Sequence, residues 1–335
     1  MDNSSISSSF DFDLDRVVRL IERSGASTVG LQFPEGFKRL AFSIARELKN
    51  RTKADIIISG NPCYGACDID MAIMESVDIL FHFGHSELEC GLDNVIYVET
   101  PSKADIRPVV EKAAIELGSG PLGLLTTVQH VHQMEEARSI LESKGITCKF
   151  GPGDSRIKYP GQLLGCNFSA ADVECDKYMY IGSGKFHPLG VAIATKRKVL
   201  AADPFTDTIE WIDPERILRI RYGIITKSLD AKIFGIIVST KIGQNRMMLA
   251  EELGRLAEKH NKQYLIISLD NITPDALLQF KVDAFVNIAC PRIAIDDSNQ
   301  YNTPILTPME FEIVLGELDW DQLVFDEIRD DTQGY

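Results

Sequence analysis

Three cysteines of the chain each follow a predicted β-strand, in parts of the sequence that lie far apart. Cys67 stands 99 residues before Cys166, and Cys290 follows 124 residues after Cys166. Structural zinc sites usually take closely spaced cysteine pairs, so this spacing is not typical of a finger or a ribbon. Three thiolates suit either a zinc ion with a further ligand or an iron–sulfur cluster that leaves one iron open. An open metal position can bind a substrate directly.

The other four of the seven cysteines are not placed in this way. Cys63 and Cys67 form a Cys-x-x-x-Cys pair, but Asp70 stands where a Cys-x-x-x-Cys-x-x-Cys motif needs its third cysteine. One loop therefore does not hold a whole cluster by itself. Three more cysteines have no counterpart elsewhere in the chain: Cys90, Cys148 and Cys175. Packing in a core explains any single cysteine, and the similar placement of three of them favours a shared site.

The apolar residues switch between strand and helix periodicity along the chain. In the first part, strands at 28–33, 54–59 and 78–81 alternate with helices at 37–49 and 68–76. This alternation predicts a parallel sheet that is covered on both faces. The same pattern predicts two further groups of elements: strands 122–126, 146–150, 178–181 and 199–202 with helix 134–143, and strands 232–238, 264–267 and 284–288 with helix 247–259.

We therefore predict an α/β fold of three similar Rossmann-like parallel-sheet domains, at residues 1–118, 119–225 and 226–335. The acidic tail, residues 318–335, is expected to lie on the surface. One large doubly wound sheet with insertions is the alternative. Ligands bind at the carboxyl ends of parallel strands, so a pseudo-threefold arrangement would bring one cysteine from each domain to the point of convergence: Cys67, Cys166 and Cys290.

The composition excludes several classes of protein. The chain has 335 residues and a formal net charge of −14, from 49 acidic and 35 basic side chains. Backbone binding to nucleic acid depends on Lys and Arg, so this balance argues against a nucleic-acid partner. No apolar run approaches the roughly 18 residues that cross a bilayer. The polar start lacks the pattern of a secretory signal, so we expect a cytoplasmic protein with reduced thiols.

Six short motifs lie around the cysteines and the ends of the predicted strands. They are LQFPEG at 31–36, YGACD at 64–68, HFGHS at 82–86, TVQH at 127–130, QLLGC at 162–166 and IGSGKFH at 181–187. Together with Cys290, and in this order, they resemble the enzymes of the first step of diphthamide biosynthesis, in their single-subunit archaeal form. The resemblance runs from about residue 12 to about residue 320. Cys63 departs from the family, which usually has another residue at that position.

The resemblance implies a function. Enzymes of this family hold a 4Fe–4S cluster with three cysteines, here Cys67, Cys166 and Cys290, and bind S-adenosylmethionine at the open iron. They are radical transferases that move the 3-amino-3-carboxypropyl group to imidazole C2 of a histidine of elongation factor 2. The resemblance also implies a homodimer, and the reaction needs an electron donor, which the sequence does not identify.

Further residues are candidates for binding S-adenosylmethionine. Gly182, Ser183 and Gly184 follow a predicted strand, and glycines allow a ligand to approach the backbone closely. A plain turn is the alternative explanation for this segment. His85 and Gln129 also lie just after predicted strands, within two of the family motifs.

Two other functions stay open at this point. Quinolinate synthase also resembles three repeated α/β units around a three-cysteine 4Fe–4S cluster, which there serves a dehydration and condensation. A zinc-stabilised interaction module without enzymatic activity is the second alternative. The motifs at 64–67 and 164–166 favour the transferase.

Overall fold

The structure, a computed structural model, describes residues 9–88 and 91–329. In this part of the chain, the strands form three separate sheets that alternate with helices, which confirms the predicted α/β fold of three parallel-sheet units. None of the helices in the described ranges combines the length and the apolar character that a membrane crossing needs. Cys90 lies outside the described residues.

The first unit contains a four-stranded parallel sheet. Its elements are α1 Leu14–Ser24, β1 Thr28–Gln32, α2 Ala41–Arg51, β2 Asp55–Ile58, α3 Met71–Met74, β3 Ile79–Phe83 and β4 Val95–Val98. The strand order is β2–β1–β3–β4. Val29 pairs with both Ile56 and Ile79. Alternate side chains fill separate cores on the two faces, with Phe81 on one side and Leu80 on the other.

The second unit adds one antiparallel strand to the same plan. Its elements are α4 Arg107–Leu117, β5 Leu122–Thr126, α5 Met134–Ser143, β6 Cys148–Lys149, β7 Lys177–Ile181, α6 Phe186–Thr195, β8 Val199–Asp203 and β9 Thr208–Ile212. The strand order is β6–β5–β7–β8–β9, and β9 is antiparallel to β8. Strand β9 was not predicted, because the alternation of strands and helices indicated only helical crossovers.

The third unit repeats the order of the first. Its elements are α7 Glu215–Ser228, β10 Ile233–Ser239, α8 Met247–Lys259, β11 Gln263–Leu269, α9 Pro274–Leu277, β12 Ala284–Asn287, α10 Pro291–Ile295, β13 Ile305–Leu306 and α11 Pro308–Leu315. The strand order is β11–β10–β12–β13, all parallel. Short 3-10 helices lie at Glu35–Leu40, Val131–Gln133, Ser169–Ala171, Ile242–Gln244, Ser298–Gln300 and Trp320–Gln322.

An aspartate positions the opening strand of the first and the third sheet in the same way. The Asp78 carboxylate accepts hydrogen bonds from the backbone N–H groups of Ser27 and Thr28, both at 2.8 Å. The Asp283 carboxylate accepts from those of Lys232 and Ile233, at 2.8 and 2.9 Å. Each aspartate directly precedes the strand that pairs with the opening strand of its sheet. The two units therefore repeat in side-chain detail as well as in topology.

The helices that precede the second and third sheets pack with other units than the predicted domain boundaries imply. Those boundaries put α4 in the first domain and most of α7 in the second. Val110 and Leu117 of α4 pack in one core with Leu124 of the second sheet. Ile225 of α7 packs in the core of the third sheet with Phe234. Packing thus gives each unit a leading helix, while the domain boundaries themselves stay a prediction.

Two predicted elements are shorter in the structure. The helix predicted at 68–76 covers only Met71–Met74, because the Asp70 side chain caps it by accepting from the N–H groups of Ala72 and Ile73. The strand predicted at 146–150 pairs only at Cys148–Lys149.

The acidic C-terminal segment corrects a further prediction. We expected residues 318–335 on the surface, but Leu323, Phe325, Asp326 and Ile328 are all buried. Phe325 packs with the core of the second unit and lies edge-on to Phe168, with ring centroids 5.0 Å apart. The segment therefore connects two units, because Leu323 packs in the core of the third and Phe325 in the core of the second.

Candidate metal centre

The three cysteines singled out by their spacing line one cavity of about 370 Å³. Cys67 lies in the loop between β2 and α3, and Cys290 directly precedes α10. Cys166 lies in the long connection between β6 and β7. The carboxyl ends of the strands in the three units thus face a common space, as expected for ligand sites of parallel sheets.

The Cys67 loop is fixed by contacts within the first unit and with the third. The N–H of Tyr64 donates to the Asp68 carboxylate at 3.1 Å, and the Tyr97 hydroxyl donates to the carbonyl of Ala66 at 2.9 Å. Asp68 also forms a buried ion pair with Lys241, at 2.9 Å. These contacts hold the thiol at the edge of its unit that faces the third.

Gly243 allows the third unit to approach this loop. A Cβ atom at position 243 would lie 2.5 Å from the Cβ of Cys67, which is closer than real Cβ atoms come. The carbonyl of Gly243 also accepts a hydrogen bond from Arg156 of the second unit, at 3.0 Å. All three units therefore meet within a few ångströms of Cys67.

The Cys166 loop is held by the second unit and by the C-terminal segment. The N–H of Leu163 donates to the carbonyl of Thr126 at 2.8 Å, which attaches the loop to the end of β5. The N–H of Ile328 donates to the carbonyl of Cys166 at 2.7 Å. The buried Gln162 amide donates to the Ser86 hydroxyl of the first unit at 2.6 Å.

Arg246 positions the strand end that leads to Cys290. Its guanidinium donates to the carbonyl of Ile288 at 2.8 Å and forms a buried ion pair with Asp326, at 2.7 Å. The Asn287 amide donates to the carbonyl of Cys290 itself at 3.0 Å. The C-terminal segment therefore stabilises two of the three cysteine loops.

Removal from bulk water suppresses ionisation of all three thiols. Burial, together with the neighbouring cysteines, raises the pKa of Cys166 and of Cys290 to about 12. Burial also raises the pKa of Cys67. Without a bound cation these groups are neutral thiols at pH 7. Binding a metal would release their protons and supply the positive charge that three thiolates need.

Arginine side chains surround the thiols, although the chain as a whole is acidic. The Arg156 and Arg246 guanidinium groups lower the pKa of Cys166, and Arg292 lowers that of Cys290, each opposing the effect of burial. Within the described residues, Nε of Arg156 is buried without a hydrogen-bond partner. A cavity with an unpartnered guanidinium N–H and three thiols fits an anionic cluster with sulfur ligands.

Gln244 makes a polar contact to a thiol sulfur that was not foreseen from the sequence. Its Nε2 lies 3.0 Å from Sγ of Cys67 and donates to it, which lowers the pKa of that thiol. Gln244 ends a short 3-10 helix and Arg156 lies in a loop, and neither segment carries a recognisable motif. The position of Gln244 just after β10 was the available signal, since ligand contacts gather at strand ends.

The spacing of the thiols favours a cluster over a single ion. Across residues 9–88 and 91–329, the trio of ligand atoms close enough to share one ion is Cys63, His82 and His85, all within 4.8 Å. The three cysteines around the cavity do not form such a trio. A polynuclear cluster bridges wider ligand separations than one zinc ion does.

The candidates for S-adenosylmethionine binding divide into two groups. His85 and Gln129 line the cavity, and the Gln129 amide donates to the carbonyl of Gly84 at 2.7 Å. Gly182, Ser183 and Gly184 do not line it, and the Ser183 hydroxyl donates to Asp203 at 3.0 Å instead. Binding of S-adenosylmethionine by residues 182–184 therefore stays a prediction, and the position of these residues outside the cavity does not support it.

Comparison with known proteins relates the whole arrangement to a family. Residues 33–324 match the model of the family described as putative diphthamide synthesis protein. The chain is 42% identical to the 2-(3-amino-3-carboxypropyl)histidine synthase of Pyrococcus horikoshii, over 93% of this chain and 92% of that protein. It is 31% identical to subunit 1 of the corresponding synthase of Nematostella vectensis, over 93% of this chain and 69% of that protein.

A solved structure agrees over nearly the full length. The crystal structure of Dph2 from Pyrococcus horikoshii with a 4Fe–4S cluster superposes with a TM-score of 0.89 at 38% sequence identity. The alignment covers 95% of this chain and 94% of that one. The three-unit α/β fold is therefore the fold of a protein that holds a 4Fe–4S cluster.

Proposed function

This chain belongs to the family of putative diphthamide synthesis proteins, and we propose on that basis that it is a 2-(3-amino-3-carboxypropyl)histidine synthase. It transfers the 3-amino-3-carboxypropyl group of S-adenosylmethionine to imidazole C2 of a histidine of elongation factor 2, the first step of diphthamide biosynthesis. Overall, a bond forms between Cγ of the group and C2 of the ring, while the S–Cγ bond breaks. Methylthioadenosine leaves, and C2 loses its proton.

The observation that carries this proposal is the delivery of one cysteine from each unit to one arginine-rich cavity. Cys67, Cys166 and Cys290 are the residues that would hold a 4Fe–4S cluster. When bound, the reduced cluster supplies an electron and an open iron for S-adenosylmethionine. Imidazole C2 is a weak nucleophile, so radical chemistry offers an easier route to alkylation at that carbon than a polar displacement.

The arginines and Gln244 adapt the protein to the charge of that site. Three thiolates carry more negative charge than the cluster core neutralises, and each cation nearby offsets part of it. Arg156 and Arg292 line the cavity directly, and Gln244 donates to the Cys67 sulfur. The fold already holds these side chains in place, so they need to move little when the charge of the cluster changes.

Apolar side chains form much of the remaining wall and exclude water. Phe10 and Phe37 lie on the first unit, and Val128, Leu163 and Phe186 lie on the second. Phe186 also lies under the Arg292 guanidinium, whose carbon is 4.6 Å from the ring centroid. We propose that this wall orients the bond to be cleaved toward the target ring and protects reactive species from solvent. His85 and Gln129 would contact the polar groups of S-adenosylmethionine.

A homodimer is part of the proposal. The edge strands β2 and β11 leave one side of their backbones unpaired in their sheets. They also carry part-exposed apolar side chains, such as Ile57, Ile58 and Ile266. Unpaired edges of this kind favour association with another chain. An external one-electron donor completes the set of partners, because the described residues contain no second cluster of cysteines that could store an electron.

Anaerobic incubation with elongation factor 2, S-adenosylmethionine and a reductant tests the proposal. We expect the elongation factor to gain the mass of one 3-amino-3-carboxypropyl group on a single histidine, with methylthioadenosine released in equal amount. Release of deoxyadenosine instead would show that a different bond of S-adenosylmethionine is cleaved. An unchanged elongation factor with a fully loaded cluster would overturn the proposed substrate.

A further inference from the structure

A second group of metal-ligand side chains lies beside the three-cysteine cavity, and two of its three members, Cys63 and His82, have no role in the proposed transfer. Sγ of Cys63, Nε2 of His82 and Nδ1 of His85 lie within 4.8 Å of one another. Cys63 follows β2, while His82 lies in β3 and His85 just beyond it. The three residues therefore gather at the carboxyl ends of neighbouring strands in one sheet.

The hydrogen bonds around His82 leave its Nε2 as the acceptor nitrogen of the ring. The Gln32 amide is oriented by two contacts, since its Nε2 donates to the carbonyl of Asp68 at 2.7 Å and its Oε1 accepts from the N–H of Asp70 at 3.3 Å. Oε1 lies 3.0 Å from Nδ1 of His82, so Nδ1 carries the proton. The lone pair of Nε2 then points toward Cys63 and His85.

This is the usual outer-shell arrangement of a metal-binding histidine. The ring nitrogen opposite the metal donates to an amide or carboxylate oxygen, which fixes both the tautomer and the orientation of the ring. Tyr97 packs against the same ring at a centroid distance of 5.0 Å and further restricts it. The side chain is held in place before any ion arrives.

The distances suit a tetrahedral ion after a small adjustment. Sγ of Cys63 lies 3.9 Å from Nε2 of His82, and that nitrogen lies 2.8 Å from Nδ1 of His85. Zinc bonds of about 2.0 Å to nitrogen and 2.3 Å to sulfur separate tetrahedral ligands by roughly 3.3 to 3.6 Å. In the metal-free state the His85 Nδ1 proton occupies the space that the ion would take.

We propose that Cys63, His82 and His85 form a binding site for a single zinc ion, distinct from the three-cysteine centre. Thiolate sulfur and neutral imidazole nitrogen are both ordinary zinc ligands, and three protein ligands are the usual number at a zinc site with an open position. Cys63 and His82 are buried, whereas His85 lines the cavity, so the fourth coordination position faces the space where the substrate would bind. An ion there would keep one position open for a water molecule or a polar group of a ligand.

Metal content measured on the cluster-loaded protein tests this site. After exposure to zinc and removal of loosely bound metal with a weak chelator, we expect about one zinc ion per chain in addition to the cluster iron. Cys63→Ser and, separately, His85→Asn should each lower zinc affinity by at least about tenfold while the iron content stays unchanged. Cys148→Ser is the matched control, because Cys148 is a partly buried thiol in another unit and should keep both metals.

Cobalt provides a spectroscopic check on the ligands. A variant with Cys67, Cys166 and Cys290 all replaced by Ala cannot hold the cluster in the proposed way, yet it retains the trio. Co²⁺ added to it should produce a thiolate-to-metal charge-transfer band and the visible bands of tetrahedral cobalt. Adding Cys63→Ser to this variant should abolish the charge-transfer band.

Two results would overturn the zinc site. One is a Cys63→Ser protein that binds zinc as tightly as the unchanged chain. The other is zinc that disappears with Cys67→Ala and not with Cys63→Ser, which would place the ion in the three-cysteine centre. Because zinc and iron are measured separately, failure of this site leaves the proposed transferase unaffected, and failure of the transferase leaves this site unaffected.

Discussion

The three-cysteine centre and the Cys63–His82–His85 trio lie next to each other but are assembled in different ways. The trio takes all of its residues, 63 to 85, from one sheet and the loops at its edge. The three-cysteine centre takes one loop from each unit and exists only when the units are packed together. Contacts between units should therefore control the centre and leave the trio largely unaffected.

The largest expected effect comes from removing a cysteine of the centre. Cys166→Ala should abolish retention of a complete cluster and reduce group transfer to background, because two thiolates hold a cluster poorly. Zinc binding by the trio should remain. Iron analysis and electron paramagnetic resonance measure the first result, with Cys148→Ser as control. Full iron retention in the Cys67, Cys166 or Cys290 variant would remove that residue from the centre.

Replacing Arg246 should weaken the packing between units. Arg246→Met leaves Asp326 buried without its partner and frees the carbonyl of Ile288, so we expect a loss of about 3–5 kcal/mol in the free energy of unfolding. Urea denaturation measures it. Iron retention should fall together with the free energy of unfolding, since the same Arg246 contacts position Cys290.

An exposed ion pair provides the control for Arg246. Arg219 pairs with Glu215 on the surface of α7, and Arg219→Met should cost only about 0.5 kcal/mol. Replacing Asp326 with Leu in the Arg246→Met background should recover part of the loss, because the unpaired charge is then gone. Equal effects of the Arg246 and Arg219 changes would contradict the role assigned to the buried pair.

Acid should destabilise the wall of the three-cysteine centre through His187. Burial, together with nearby Arg292, lowers the pKa of His187 to about 4 from an ordinary value of 6.5. The unfolded chain thus binds the proton more readily, and the free energy of unfolding falls as pH drops from about 6.5 to about 4. This residue accounts for at most about 3 kcal/mol of that loss.

Denaturation of the metal-free protein at several pH values checks the role of His187. His187→Gln should flatten the dependence on pH in this window, whereas the exposed His132→Gln should leave it as it is. An identical slope in the two variants would show that His187 does not titrate in this way.

The smallest effect is expected from the hydrogen bond to Cys67. Gln244→Leu removes a donor to a ligand sulfur, which stabilises the more negatively charged reduced cluster. A loss of about 1.4 kcal/mol in this preference corresponds to roughly 60 mV for one electron. The reduction potential of the cluster should therefore fall by up to that amount in a potentiometric titration. Zinc bound by the trio is not redox-active and should not contribute to the titration. The surface variant Gln300→Leu should show no shift.

The predicted fold agreed with the structure where the local pattern and the packing point to the same element. Strands β1, β5 and β10 are continuous apolar runs, and their burial on both faces leaves no other arrangement. The helix at 68–76 failed because Asp70 supplies a cap that competes with further helix N-terminal to it. Residues 323–329 were mistaken for a surface tail, because their acidic residues conceal three apolar side chains that pack elsewhere.

The sequence by itself determined the α/β units and singled out the three cysteines, because these depend on short-range periodicity and on spacing along the chain. It placed Cys166 just after a strand, whereas the structure places Cys166 in the long connection between β6 and β7. Only the tertiary structure decided which groups surround those cysteines. Arg156, Gln244 and Ile328 reach the centre from segments far from the cysteines along the chain, and no motif around them indicates it. The trio was hidden for the same reason, since the orientation of His82 depends on a Gln32 amide fifty residues away.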